Sequence, residues 1–449
     1  MIFVPVLIFS IIEYFIGKRV ISLLIFFFFL TNGFQLVPES LFEIGPISKP
    51  IDFAVLYVVI ISFVNCISTR IPFRIQFDKV LKSLLAFGGF FCVILFVNIY
   101  LFHVPLVEIA RTGRPFLLLL AFGVFYKLNT EEIDKLKRIL FCVSIFLSLL
   151  FISQIIFKVV LLTGYVGGGK MTLGGITISR LYNQPLLNYY FLFYAIYSNP
   201  WEGKWKKISQ VILIISFLLP MHRGFLLSFI IVILVGNLLI SRSVSKLLRT
   251  VTILSFFVLV LSPFLIDLFT KNNVATSQEE IVEILVEGFL DFDKSVAETN
   301  TIYYRLAHLY ERISIVSSNA IYSIFGIGFM TDDSPLAANF DIIVGHYSYE
   351  REEWVLFTNL DIAWSTMFIR LGFLGTLVYL FFYSNLAWFF FKHLKQEKSA
   401  IVSLLFLLLM VLTSFTSIEI IQLYPLMLPI LDYYYIKKKL TNEIIDNNN

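Results

Sequence analysis

The sequence predicts an all-α, polytopic integral membrane protein with about 12–13 transmembrane helices and one large external loop. Three observations carry that prediction. First, 58% of the 449 residues are hydrophobic, 49 of them are Phe, and the mean hydropathy is +0.85. Only 15% are charged, against about 25% in a soluble domain, so a water-soluble core could not hide this much apolar surface. Second, the apolar residues gather into runs near the length of about 20 that a helix needs to cross a bilayer. Third, the segments joining those runs alternate between Lys/Arg-rich and Lys/Arg-poor.

In order, the runs lie near 2–17, 20–37, 51–69, 83–102, 108–126, 139–160, 184–199, 208–221, 223–240, 250–269, 364–391, 400–416 and 418–436. The first two and the last two are tightly spaced. One alternate set of connections reads GKR (17–19), RIPFRIQFDKVLK (70–82), KLNTEEIDKLKR (127–138), WEGKWKK (201–207), SRSVSKLLR (241–249), KHLKQEK (392–398) and KKK (437–439). Positive charge stays on the cytoplasmic side of a membrane. The expected orientation is therefore N-terminus outside and C-terminus cytoplasmic. The chain divides into a helix bundle (1–269), a large external loop with short helices (270–363), C-terminal transmembrane helices (364–436) and a cytoplasmic tail (437–449). The first run lacks a basic n-region and an A-x-A site, so no cleaved signal peptide is expected. A net charge of +4 gives no argument for a nucleic-acid partner. Cys66, Cys92 and Cys142 sit inside apolar runs at spacings that match no metal site, and read as small hydrophobes.

The stretch "LLTGYVGGGKMTLGG" (161–175) has the GxxxxGK spacing of a nucleotide-binding loop. Met171 stands where that loop needs Ser or Thr to hold magnesium, and an apolar helix precedes it rather than a strand. Its expected side of the membrane also holds no ATP. It reads either as a flexible external loop or as backbone that approaches a ligand closely. In the large loop, "TSQEEIVEILVEGFLDFDKSVAET" places Ile281, Ile284, Leu285, Phe289 and Leu290 at helical spacing, a solvated helix lying on the membrane face. "NTIYYRLAHLYERISIVSS" follows as a second helix, with Ile302, Leu306, Leu309 and Ile313 on one face. Arg305 and Arg312, seven apart, project from nearly the same side. Asp332 and Asp333 are adjacent and read as a solvated turn.

Arginines at the external ends of the runs are few: Arg111, Arg114, Arg180 and Arg223, the last beside His222, with Arg305 and Arg312 in the large loop. A charge at membrane depth is costly and usually functional. Each has two readings. Arg111, Arg114, Arg180 and Arg223 either snorkel to lipid phosphates or act as fixed cations for a phosphate-bearing ligand. Arg305 and Arg312 either pair with acids such as Glu311 or join that cation set. Guanidinium forks match phosphate oxygens, so several on one face suit a diphosphate.

The segments "MHRGFLLSF", "YYRLAHLYERISIVSSNAIYSIFGIGF" and "DIAWSTMFIRLGFLGTLVYLFF", in that order, resemble the Wzy-type O-antigen polymerase and O-antigen ligase superfamily. The turn is Ser323, Ile324, Phe325, Gly326, Ile327, Gly328, and the closing helix carries Leu371, Gly372 and Gly375. Asp361 stands where ligases have the His of a His-Asn pair, which favours a polymerase. The resemblance implies a helical, GT-C-like glycosyltransferase, multi-pass in a bacterial cytoplasmic (inner) membrane. Its implied substrate is an undecaprenyl-diphosphate-linked oligosaccharide, polymerised into O-antigen or capsule. It implies no cofactor and no metal, with membrane lipid and a chain-length regulator protein as partners. Arg223, Arg305, Arg312, Arg114 and Arg180 would bind the diphosphate. Asp361 would take the acceptor's proton, with His346 second and Glu350 third. Tyr304, Tyr347 and Trp354 would meet sugar, alongside Tyr303 and Tyr349. Asp361 reads equally as a helix N-cap, and the aromatic residues equally as an interfacial belt. The rival functions are an O-antigen ligase, and a lipid-linked oligosaccharide flippase.

Overall fold

A computed structural model describes residues 3–43, 49–68, 78–164, 170–173, 176–179, 181–220, 223–241, 301–330, 340, 344–348, 353–357 and 362–448. The chain is a helical membrane protein. In order, the described helices are α1 (Phe3–Ile16), α2 (Arg19–Leu30), α3 (Pro50–Ser68), α4 (Lys79–Tyr100), α5 (Leu106–Gly113), α6 (Ala121–Phe125), α7 (Thr130–Phe157), α8 (Asn188–Tyr197), α9 (Gly203–Leu218), α10 (Arg223–Ser241), α11 (Thr301–Ser317), α12 (Ala320–Phe325), α13 (Ala363–His393), α14 (Lys398–Thr413), α15 (Glu419–Gln422) and α16 (Met427–Asn448). Among them α3, α4, α7 and α13 are long and apolar enough to cross a bilayer, and α1, α2, α10 and α14 are shorter apolar helices.

Local chemistry sets the helix ends. In "KLNTEEID", Asn129 and Glu132 form a reciprocal capping box at the start of α7: Glu132 N donates to Asn129 Oδ1 at 2.7 Å, and Asn129 N donates to Glu132 Oε2 at 2.8 Å. Asp78 caps α4 by accepting from Leu81 N at 3.0 Å. The expected span at 108–126 is not one helix. It is α5, a tight 3₁₀ segment (Arg114–Leu120) that opens with Pro115, and α6. The last expected span is likewise split at Leu423, whose φ is +62°. The run at 250–269 and the acidic helix expected at 276–299 lie outside the described residues.

Two connections differ from the all-α expectation. The glycine-rich stretch pairs Lys170–Leu173 (β1) with Ile176–Ser179 (β2), and the large loop pairs Val344–Ser348 (β3) with Glu353–Phe357 (β4), both antiparallel. β1 and β2 are rich in β-branched and aliphatic residues flanking Gly174 and Gly175, a hairpin signal that the nucleotide-loop comparison obscured.

Leu and Phe are the commonest residues of the core. Phe3 stacks on Phe42 with centroids 4.1 Å apart, and Phe29 stacks on Phe53 at 5.1 Å. Helix association in lipid depends on such close packing, since lipid tails are as apolar as the side chains.

Described residues of five Lys/Arg-rich connections, 17–19, 70–82, 127–138, 392–398 and 437–439, meet at one end of the bundle. Arg19 donates to the carbonyl of Lys127 at 3.0 Å and lies 3.5 Å from Glu132. Lys437 pairs with Asp78 at 2.9 Å, Lys439 pairs with Glu397, and Lys438 donates to the carbonyls of Tyr126 and Leu128. Desolvation pulls the Lys438 pKa below the ordinary lysine value, against an opposing pull from Glu132. One turn deeper, fully buried Asp432 accepts from Lys137, Tyr190 and Ser403. The alternation of charge read along the chain is thus a real sorting of its connections.

Candidate functional site: a cation-lined cavity

A cavity of about 710 Å³ opens near the other end of the bundle. Four basic residues line it: Lys49, Arg111, Arg114 and Arg370. Asn32, Thr112, Thr366, Gln422 and Tyr424 add neutral polar groups, and no carboxylate is among its described lining residues.

Each cation is delivered by a different feature. Lys49 precedes α3, and its amide donates to Asp52 Oδ2 at 3.2 Å. Arg111 and Arg114 flank the junction where α5 passes into the 3₁₀ segment. Arg114 pairs with Asp52 at 2.8 Å, so the first turn of α3 holds one wall. Thr366 and Arg370 are four apart on α13 and face the cavity together. Lys49 and Arg111 are exposed, whereas Arg114 and Arg370 are partly buried, so the cations occupy two depths.

A strained turn forms another wall. Asn32, Gly33, Phe34 and Gln35 all have positive φ, which is uncommon for residues other than Gly and clusters at functional sites. Buried Gln35 ties it down: its Oε1 accepts from Leu186 N at 2.8 Å, and its Nε2 donates to Gln184 O at 3.2 Å. Asn183 extends this network, donating to Leu162 O and accepting from Gln154 Nε2 at 2.7 Å. The root of the glycine-rich stretch is therefore clamped to the same wall as Leu186, a lining residue.

The sequence-nominated residues are distributed unevenly. Arg114 lines the cavity, as does Arg111. Arg223 opens α10; its neighbour Gly224 packs so that an added Cβ would meet Thr416 Oγ1 at 3.0 Å, two residues from the lining Ile418. Of Arg223 only the backbone is described. Arg305, His308 and Arg312 lie on one face of α11, and buried His308 meets Ser365 Oγ at 3.0 Å, beside Thr366. Arg312 is outside the cavity lining. It is fully buried, ion-paired with Glu311 and stacked over Phe340 at 4.4 Å, a packing cation rather than one presented to a ligand. His346 and Tyr347 lie on β3, where Tyr347 is the register partner of Trp354. Tyr304 lies on α11. The side chains of these four, Asp361, Glu350 and Arg180 fall outside the described residues. The N-cap of α13 is Ile362, not Asp361; the amide of Ala363 donates to the carbonyls of Ser414 and Ser417.

No protein-family model and no curated protein matches this chain. Function is therefore argued from the residues of the site.

Sequence reasoning missed Lys49 and Arg370. Arg370 was within reach of it: a lone cation in "TMFIRLGF", inside an apolar run, meets the membrane-depth criterion as well as Arg223 does. Lys49 gave no such signal, because a lysine in a short connection is ordinary. Chemically, the set can hold a multiply charged oxyanion. Guanidinium forks offer paired N–H donors to phosphate oxygens, and a partly dry cavity strengthens each such bond.

Proposed function

We propose that this chain is a glycan polymerase that joins undecaprenyl-diphosphate-linked oligosaccharide repeat units at the outer face of a bacterial cytoplasmic membrane. The observation that carries the reading is the cavity lined by Lys49, Arg111, Arg114 and Arg370, set at the end opposite the Lys/Arg-rich connections. By the positive-inside rule that end faces outward, where a lipid-linked repeat unit would be met. The ordered motifs at Arg223, Gly326–Gly328 and Gly372 support the same family reading, and a GT-C-like arrangement of about thirteen spans belongs to this proposal.

In the proposed reaction an acceptor hydroxyl attacks the anomeric carbon of the donor glycan. The new glycosidic C–O bond forms as the bond to the lipid diphosphate breaks. Fixed cations stabilise the departing diphosphate; Arg114 and Arg370 are the inner pair for this role, with Arg223 and Arg305 as further candidates. Asp361, or else His346, takes the hydroxyl proton.

The test is genetic. The gene is deleted in its host, and the surface glycan is resolved on a gel. Complementation uses wild type, Arg114→Ala, Arg370→Ala, Arg223→Ala, Arg305→Ala and Asp361→Asn. The expected outcome is collapse of a ladder to a single repeat unit, restored by wild type and not by well-expressed variants. Polymer that still forms but stays on its lipid carrier identifies a ligase instead and sinks the polymerase reading.

A further inference from the structure

Helix α13 is broken at Gly372, where φ is +68° and ψ is −179°. In an unbroken helix the carbonyl of Ile369 would accept from the amide four residues on. Here it accepts from Ile327 N at 2.8 Å and Gly328 N at 3.3 Å. A turn more than forty positions earlier in the chain thus supplies the backbone donors at the break. The fit leaves no room for side chains. A Cβ on Gly326 would stand 2.2 Å from Ile369 O, and one on Gly372 would stand 2.5 Å from Ile324 O and 2.6 Å from Gly326 N. Both residues also have positive φ, which L side chains rarely adopt. A second anchor pins the same turn to α4: Phe329 N donates to Asn98 Oδ1 at 2.7 Å, and buried Asn98 donates onward to Ile94 O at 2.8 Å. Arg370 lies between Ile369, which takes the hydrogen bonds, and Gly372, which makes the break.

We infer that Gly326, Ile327 and Gly328 are positioning residues for the cation site, acting through Arg370. The turn holds the break in α13 open and fixes where Arg370 enters the cavity. This inference rests on reading the cavity as an oxyanion site. It assigns one physical task to two glycine motifs that lie far apart in the sequence.

The test is a double-mutant cycle on the purified full-length chain in detergent, with inorganic pyrophosphate as probe and isothermal titration calorimetry as readout. Gly326→Ala alone is expected to weaken pyrophosphate binding about tenfold, or about 1.4 kcal/mol. In an Arg370→Ala background the same substitution is expected to change binding less than about twofold, because residues that act through one group are not additive. An equal loss in both backgrounds would show that the turn acts on the whole fold, and overturns the inference while leaving the cavity reading intact. Failure of the wild type to bind pyrophosphate overturns the cavity reading and the inference with it. If Gly326→Ala does not yield folded protein, Asn98→Ala enters the cycle in its place, since it loosens the turn without adding bulk to the joint.

Discussion

The two ends of the bundle use the same residue types in opposite ways. At the basic end Lys137 meets Asp432, Lys437 meets Asp78, Lys439 meets Glu397, and Lys438 is taken up by backbone carbonyls. These cations tie helices together: α16 alone is bonded to α7, α8, α14, the cap of α4 and the turn before α7. At the cavity end four cations line one cavity with no carboxylate among the described lining residues, and Asp52 pairs with Arg114. A cluster of like charges raises the energy of the empty fold, so it makes physical sense where an anion completes it. Cation count alone therefore does not mark a site.

The comparison breaks most readily at Asp432. This carboxylate is fully buried and accepts from Lys137, Tyr190 and Ser403. Asp432→Ala would leave Lys137, itself only 4% exposed, without its counter-charge. Breaking a buried pair from one side costs about 3–5 kcal/mol, the largest effect expected from any single change considered. Thermal unfolding in detergent should show a steep loss of stability, largely recovered in the double variant Lys137→Met/Asp432→Leu. A small loss in the single variant would mean that this end is not held by its ion pairs.

Much of this contrast was legible in the sequence, and the reasons for the rest are specific. Apolar runs of bilayer length placed nearly every helix, because that pattern is local. Charge alternation found the basic end, because basic connections are bound to their own helix ends. The breaks at Arg114–Leu120, Gly372 and Leu423 were harder to see. At Gly372 the cause is a turn of backbone at residues 324–328, remote in sequence. Arg312 and Arg370 exchanged roles for a similar reason. Of the two readings given for Arg312, pairing with Glu311 is the one that the structure displays, with Phe340 over the guanidinium. Arg370 looked like part of an apolar helix, yet the break beside it turns that stretch toward the cavity. Burial is a property of the assembled fold, so the spacing of arginines could nominate candidates but not rank them.

A sharper form of the comparison comes from Asp52, the acid paired with Arg114. If Asp52 merely neutralises Arg114, Asp52→Asn raises the net positive charge of the wall. Pyrophosphate should then bind roughly two- to fivefold tighter at low salt, since only the Arg114 side of the pair is partly exposed. The gain should fade at high ionic strength as screening shortens the reach of the added charge. Weaker binding instead would show that Asp52 orients Arg114, making this pair a scaffold of the basic-end kind.

The smallest effect is expected at Lys439, which is more exposed than Lys137 or Lys437. Its hydrogen bond with Glu397 is the main cause that raises its pKa above the ordinary lysine value. A raised folded pKa means that the charged form is favoured by folding. That contribution is fully present below the unfolded value of about 10.4 and is lost as pH rises through the folded value. Melting temperature should therefore be flat for this pair between about pH 6 and 9. Because the Lys439 side chain is 43% exposed, solvent screens the pair, and Lys439→Ala should cost no more than about 0.5 kcal/mol. A loss approaching that of Asp432→Ala would place Lys439 in the buried network and erase the gradient from core to rim that distinguishes this end from the cavity.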